Sequence, residues 1–450
     1  MTDEQKALFK KWQYRTLFGT IFGYALFYIV RKNFSMAMPG IEQDLGITKT
    51  DLGLFLTLHG LIYGVSQFIN GTFADRKNAR WYMTVALMLA VLANVVFGFS
   101  DIIASTITGG TDNAMFMRYT ILVMGITWVF NGMAQSAGFP PCARLLTHWV
   151  PPSELATKQS IWNTSHSIGA GFVVILCGYI MQHMGTGENH SGAWRYCFLI
   201  PAAISGIGAI LLFMILRDTP KSVGLPELEG TSAKNAPKDE NDVKAAKKFI
   251  VERVLKNPLI WILCFANFFV YVVRYGILDW GPMLLKESKE VSLAGAGWLV
   301  AGFEIAGITG VVVAGILTDK LFKGKSHQTC MFCMLFTALF IALFWFLPTG
   351  LPAWVYAIPL CGAGFCVYGP QGLIGVAAAN LATKKAAGSA NGMKGMFGYL
   401  STLISGLGFG YIAQHFGWNA IYMFMITTSI IGMGIFIYMW NAPANGYDEQ

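Results

Sequence analysis

Arg31 and Arg274 interrupt stretches otherwise fit for the middle of a bilayer, GYALFYIVRKNFSMAMP and WILCFANFFVYVVRYGILDW. A guanidinium in hydrocarbon costs at least ~2.5 kcal/mol, and an ionisable residue there is a functional candidate by default. The chemistry such residues offer is anion recognition. Their surroundings repeat. Gly71-Thr-Phe-Ala-Asp75-Arg76 begins 40 residues after Arg31, and Gly315-Ile-Leu-Thr-Asp319-Lys320 begins 41 residues after Arg274. One plan, an intramembrane arginine followed by G-x-x-x-D-[RK], is thus used twice at an offset of about 243 residues. This duplication predicts a two-sided cage for one anion.

The elements that must carry these arginines are helices in a membrane. Of the 450 residues, 54% are hydrophobic and only 12% charged, about half the charged share of a soluble chain. Apolar stretches near 20 residues recur, each long enough to cross a ~30 Å core as a helix. Twelve spans are expected, at about 16–38, 52–73, 81–100, 118–139, 160–183, 194–216, 258–281, 294–317, 328–347, 353–378, 390–413 and 418–441. The net charge of +8 follows the positive-inside pattern. Lys and Arg gather in the loops around Arg76, Lys77 and Arg80, around Arg144 and Lys158, around Lys320, Lys323 and Lys325, and at Lys384 and Lys385. The alternate loops carry almost none, which predicts that both termini are cytoplasmic. The charge therefore orients the chain, and nucleic acid is not an expected partner. Six of the eight cysteines fall inside predicted helices, and Cys330-Met-Phe-Cys333 has no second pair, so no metal site is expected. Met1 to Arg15 is polar and basic and reads as no cleavable signal.

One long polar stretch, 217–257, divides six spans from six, with a short amphipathic surface helix expected at Val243 to Leu255. The expected organisation is a six-helix half at 1–216, a cytoplasmic linker at 217–257 and a second six-helix half at 258–450. Parallel six-span halves describe major facilitator transporters. The duplicated G-x-x-x-D-[RK] resembles that superfamily's loop motif. Within it, Gly71 and Gly315 are expected to allow close helix packing, and Asp75 and Asp319 to accept from a helix terminus or an arginine.

GYALFYIVRKNFSMAMP, GFPPCARLLTHW, IWNTSHSIGAG, RDTPKSVGLP, FVYVVRYGILDWGP and LATKKAAGSANGMKGMFGYL together resemble the organophosphate:phosphate antiporters, the glycerol-3-phosphate and hexose-6-phosphate transporters, over nearly the whole chain. The resemblance implies exchange of an organic phosphate for inorganic phosphate by alternating access, with no cofactor. It points to Arg31 and Arg274 as the phosphate site, and the residue chemistry agrees. A phosphate monoester carries about −1.5 to −2 charges near neutral pH, and arginine donates to it in bidentate fashion while staying charged when buried. Two guanidinium groups about 9 Å apart repel by roughly 2 kcal/mol at an effective dielectric near 20. An empty carrier would therefore occlude reluctantly, which makes exchange obligatory.

The same resemblance gives His166 as a substrate contact, Lys32 and Asp279 as a gating ion pair, and Glu304 as a further acidic gating position. Tyr24, Tyr28, Tyr63, Tyr271, Tyr368 and Tyr399 offer hydroxyls and apolar walls for the organic group. His59 reads as packing. One departure stands out. Where the family motif has Tyr-Gly-x-x-Lys, this chain has Tyr63-Gly-Val-Ser-Gln67, and it carries Lys394 where the family commonly has a small polar residue. The expectation is that one cavity charge has moved from position 67 to position 394. No nucleophile–base pair or phosphate-cradling Gly loop emerges, so the chain is not expected to be an enzyme. It reads as an all-α, multi-pass protein of a bacterial inner membrane, a monomer in its lipid bilayer. RYGILDWGP favours glycerol-3-phosphate; a hexose 6-phosphate is the alternative, and a membrane sugar-phosphate sensor is a reading from another class.

Overall fold

The computed structural model describes residues 2–187, 190–227, 248–383 and 386–443. Most of the expected linker (228–247), together with Lys384 and Lys385, lies outside the described residues; so do the side chains of Asp75 and Arg76. Among the described residues the regular structure is helical apart from one Thr186–Ser191 bridge in a turn. We number the helices α1 (Asp3–Leu45), α2 (Lys49–Arg76), α3 (Ala79–Gly98), α4 (Ser100–Thr108), α5 (Phe116–Ser136), α6 (Phe139–Trp149), α7 (Pro152–Trp162), α8 (Ser165–His183) and α9 (Ala193–Ile215). After the polar stretch come α10 (Pro258–Lys289), α11 (Leu293–Lys320), α12 (Ser326–Phe346), α13 (Ala353–Ala382), α14 (Ala387–Leu400) and α15 (Phe409–Tyr438). Residues 248–255 at the end of that stretch are helical, closing in a π-type turn at Val251–Leu255.

Eight helical runs among the described residues are long and apolar enough to cross a membrane by length and composition. The shortfall from twelve has a local cause. Expected spans 390–413 and 418–441 fall in one run, Ala387–Tyr438, whose break is at Gly417 with φ 76°. Spans 16–38, 52–73 and 118–139 lie in α1, α2 and α5, whose polar residues lower their hydropathy. Those polar residues build the site described below.

The chain forms two compact units, Met1–Ile47 with Leu58–Ala236, and Thr48–Thr57 with Pro237–Gln450. In the first, α1 packs on α8 and α9, and α3 on α5 and α9. Gly169 lets α8 come down onto the Ala25 carbonyl of α1, a contact that any Cβ would block. In the second unit α11 and α12 pack on α13, and α10 touches α13, α14 and α15. There Gly310 meets the backbone at Phe365 and Gly364 meets it at Phe303, so α11 and α13 approach through small residues on both sides. The opening turns of α2 belong to this unit too. Thr57 Oγ1 donates to the Thr402 carbonyl (2.7 Å) and accepts from Leu407 N (2.8 Å). It thereby serves backbone groups around the π-helical turn Leu403–Gly408.

The repeated loop motif works differently from its expected role. A Cβ on Gly71 or on Gly315 would meet no atom within 4 Å. Each glycine lies five residues from the end of its helix and faces no neighbour, although Ala74 and Thr318 beyond them are buried. Asp319 is exposed, with no hydrogen bond or ion pair among the described residues. At the α2–α3 turn of the first unit, Asp218 accepts from Ala79 N at the start of α3 (2.8 Å) and from Arg144 Nη2 (3.1 Å). Arg144 Nη1 in turn donates to the Ala74 (2.8 Å) and Lys77 (2.6 Å) carbonyls that end α2. Orphan groups at both sides of the α2–α3 turn are thus satisfied.

Candidate functional site

In the first unit the helix carrying Arg31 is broken one residue before it. Val30 has φ −95° and ψ 20° inside α1, and no proline or glycine adjoins it. The break is held by side-chain amides. The Val30 carbonyl accepts from Asn94 Nδ2 (2.9 Å), Asn131 Nδ2 (3.2 Å) and Gln135 Nε2 (3.4 Å), and the Phe27 carbonyl accepts from Gln135 Nε2 (2.9 Å). Asn33 Nδ2 closes the cluster by donating to Asn94 Oδ1 (2.7 Å) and to the Cys197 carbonyl (2.9 Å). All four amide side chains are buried. Side chains that take over ladder carbonyls are a known cause of a helix break. His59 adds to this: its Nε2 lies 3.4 Å from Asn131 Oδ1 and its ring 5.2 Å from Trp128. Because Asn131 Nδ2 is spent on Val30, Oδ1 is an acceptor, and His59 must donate from Nε2.

Beyond the break, the Arg31 guanidinium lies over Tyr63 at 4.4 Å and beside Tyr28 at 5.4 Å, within cation–π range. Tyr28 is also 5.7 Å from the His166 ring and 5.5 Å from Tyr24, which rests on Trp162. His166 Nδ1 is 2.9 Å from Ser167 Oγ. The structure therefore gathers Arg31, Tyr63, Tyr28, Tyr24 and His166, drawn from α1, α2 and α8. Lys32 is buried next to Arg31, and Gln67 is half-buried one turn past Tyr63.

In the second unit Arg274 is buried, 4% exposed, on α10, which carries no break beside it. Its Nη2 donates to Tyr368 OH at 2.9 Å and stands 3.8 Å from Glu304 Oε1. Tyr368 interacts with Glu304 in turn, so the phenol stands between cation and carboxylate. Tyr368, Tyr275 and Tyr271 surround the guanidinium at 4.6, 5.7 and 5.8 Å. Gly307 of α11 makes room for the Tyr368 ring, 2.6 Å from where its Cβ would stand. Arg274 Nε is buried with no hydrogen-bond partner among the described residues. A charged donor left in that condition is costly unless a ligand meets it. Asp279 is buried five residues further along α10, and Tyr399 is half-buried on α14. Lys394 is not brought to this cluster: its Nζ lies over Gly375 of α13. No group of His, Cys, Asp and Glu among the described residues could hold a metal ion.

Sequence reasoning passed over Tyr275 and the amides Asn94, Asn131 and Gln135. A signal was present: amides inside apolar helices are expensive and mark either a helix contact or a site.

Residues 20–405 match the Major Facilitator Superfamily. The chain is 35% identical to a glycerol-3-phosphate transporter of Bacillus subtilis, covering 98% of this chain and 95% of that one. It is 34% identical to a probable hexose phosphate transport protein of Chlamydia pneumoniae (97% and 93% covered). A membrane sensor protein of Escherichia coli, UhpC, is 33% identical (94% and 91%). The chain belongs to the organophosphate:phosphate antiporter family of that superfamily. Among solved structures, the inward-open xylose transporter XylE of E. coli superposes with TM-score 0.70 at 14% identity, covering 96% of each chain, and shows the shared fold. Membership in this family makes the protein a multi-pass membrane transporter, not an enzyme.

Proposed function

We propose that this member of the antiporter family brings in glycerol-3-phosphate in exchange for inorganic phosphate, across a bacterial inner membrane with both termini in the cytoplasm. Arg31 of one unit and Arg274 of the other recognise the phosphoryl group. His166 assists, and Lys32, Asp279 and Glu304 govern closure. The carrying observation is the buried Arg274 with its Nε unpaired inside a cage of three tyrosines. A phosphate oxygen supplies the acceptor this donor lacks, and the rings supply a dry wall that strengthens the contact. RYGILDWGP and the B. subtilis relative support glycerol-3-phosphate. Gln67, in place of the expected lysine, and the C. pneumoniae relative support a hexose 6-phosphate as the second reading. The sensor relative keeps a third, binding without transport.

Proteoliposomes loaded with phosphate test the reading. Labelled phosphate should exchange across them, with glycerol-3-phosphate inhibiting at lower concentration than glucose-6-phosphate or 3-phosphoglycerate. Arg31→Ala and Arg274→Ala should each abolish exchange, losing at least ~100-fold. Normal exchange by either folded variant refutes the site, and binding without exchange in the unaltered protein selects the sensor.

A further inference from the structure

Lys394 is a further cation of the second unit, and its place does not fit the arginine cluster. Its Nζ stands 3.2 Å from where a Cβ on Gly375 would be, with Asn391 Oδ1 at 2.9 Å from the same point. Asn391 is tied down by its Nδ2, which donates to the Gly375 (3.2 Å) and Ala387 (3.1 Å) carbonyls. The Lys394 carbonyl accepts from Asn267 Nδ2 at 2.9 Å. The ammonium thus sits among α10, α13 and α14. Among the described residues no carboxylate comes within ion-pair distance of it; the titratable group it interacts with is Cys264.

Two helices measure its separation from Arg274. Tyr368, which binds Arg274, and Gly375, which lies under Lys394, are seven residues apart on α13, about 10 Å of helical rise. On α10, Cys264 precedes Arg274 by ten residues, about 15 Å. Two nitrogens that share one phosphate, each about 2.9 Å from an oxygen, lie no more than roughly 8 Å apart. The rise along each helix exceeds that span. We propose that Lys394 is a second anion station, displaced from Arg274 toward the Pro258 end of α10, where inorganic phosphate pauses before reaching the arginine.

The chemistry suits a pause rather than a terminus. A charge in a low-dielectric interior with no acid beside it is expensive, and in a membrane segment it calls for a named partner. The anion that this family moves is such a partner. Lysine meets it as a hydrated point charge, without the bidentate fork that makes arginine a tight phosphate ligand. Gly375 keeps the space above α13 open, because a side chain there would press on the ammonium. Sequence reasoning puts Lys394 on the substrate as a replacement for the lysine missing at Gln67; helix geometry gives it a site of its own. The inference rests on the proposed phosphate exchange, and the test separates the two.

Binding of labelled inorganic phosphate to the purified full-length protein in nanodiscs should show two classes approaching two per chain. Lys394→Gln should remove the weaker class and leave the tighter, and Lys394→Arg should retain both. In exchange assays Lys394→Gln should raise the phosphate KM roughly tenfold with the maximum rate little changed, because encounter rather than grip is lost. A single class in the unaltered protein overturns the station, whatever the variants do. So does loss of both classes in a Lys394→Gln protein whose melting temperature is unchanged. If the unaltered protein binds no phosphate at all, the proposed function fails first.

Discussion

The two arginines occupy matching places in the sequence and unlike places in the structure. Arg31 follows a break in its helix and lies against ring faces, chiefly Tyr63 at 4.4 Å. Arg274 sits on a helix with no such break, with a phenol at 2.9 Å and a carboxylate at 3.8 Å. In the first unit precision comes from the backbone: three amides fix the carbonyl just before the guanidinium. In the second it comes from side chains aimed at the guanidinium itself. The repeat keeps a charge at one sequence position and leaves each unit its own way of holding it. Arg274 brings its own counter-charge in Glu304, so a phosphate bound there as proposed would share or displace it.

Removing that counter-charge is the harshest test of the contrast. Glu304→Gln leaves a buried guanidinium without its carboxylate, a loss of about 3 kcal/mol for broken buried pairs. The variant should melt well below the unaltered protein without ligand, and phosphate should restore more of that stability than it adds to the unaltered protein. A bound anion stabilises by mass action whatever state it prefers, and here it replaces the missing charge. A Glu304→Gln protein as stable as its parent, with an ordinary response to phosphate, would show that Arg274 is held by hydroxyl and rings alone. The two arginines would then be more alike than their surroundings indicate.

The sequence singled out each arginine because hydropathy and its charged exceptions are local signals. Lys32, Asp279 and Glu304 were singled out instead through the family resemblance. The break at Val30 was hidden. Nothing at positions 29–31 breaks a helix, and the groups responsible lie 64 to 105 residues away in the chain. Tertiary amides overrode a local helical preference, which no window of periodicity can register. The loop motif failed in the opposite sense. Its glycines are locally eye-catching, yet a Cβ on either would meet no neighbour, while Arg144 and Asp218 from other segments serve the α2–α3 turn.

The second test falls on the backbone device. Asn131→Leu removes one of the three donors on the Val30 carbonyl and the acceptor facing His59 Nε2. Asn94 still serves the carbonyl, so the cost should be about 1–2 kcal/mol rather than that of a fully orphaned group. The phosphate KM should rise, because the residue after Val30 is Arg31, and the fold should survive. A structural role alone would lower the melting temperature and leave KM where it was.

The smallest effect comes from single oxygen atoms and compares the two units directly. Tyr368→Phe deletes the hydroxyl that Arg274 Nη2 donates to, while keeping the ring 4.6 Å from the guanidinium. A hydrogen bond to a charged group contributes about 1.5 kcal/mol or somewhat more, so phosphate affinity should fall roughly tenfold. Tyr63→Phe keeps the face on which Arg31 rests, and a ring face is the main source of a cation–π contact. It should therefore cost less than Tyr368→Phe, and less than Tyr63→Leu, which removes the face as well. If the two Phe variants cost the same in exchange assays, the distinction between an arginine held by a hydroxyl and one held by ring faces collapses. If Tyr63→Phe costs more, the contrast is inverted, and Arg31 is the arginine that depends on a phenol.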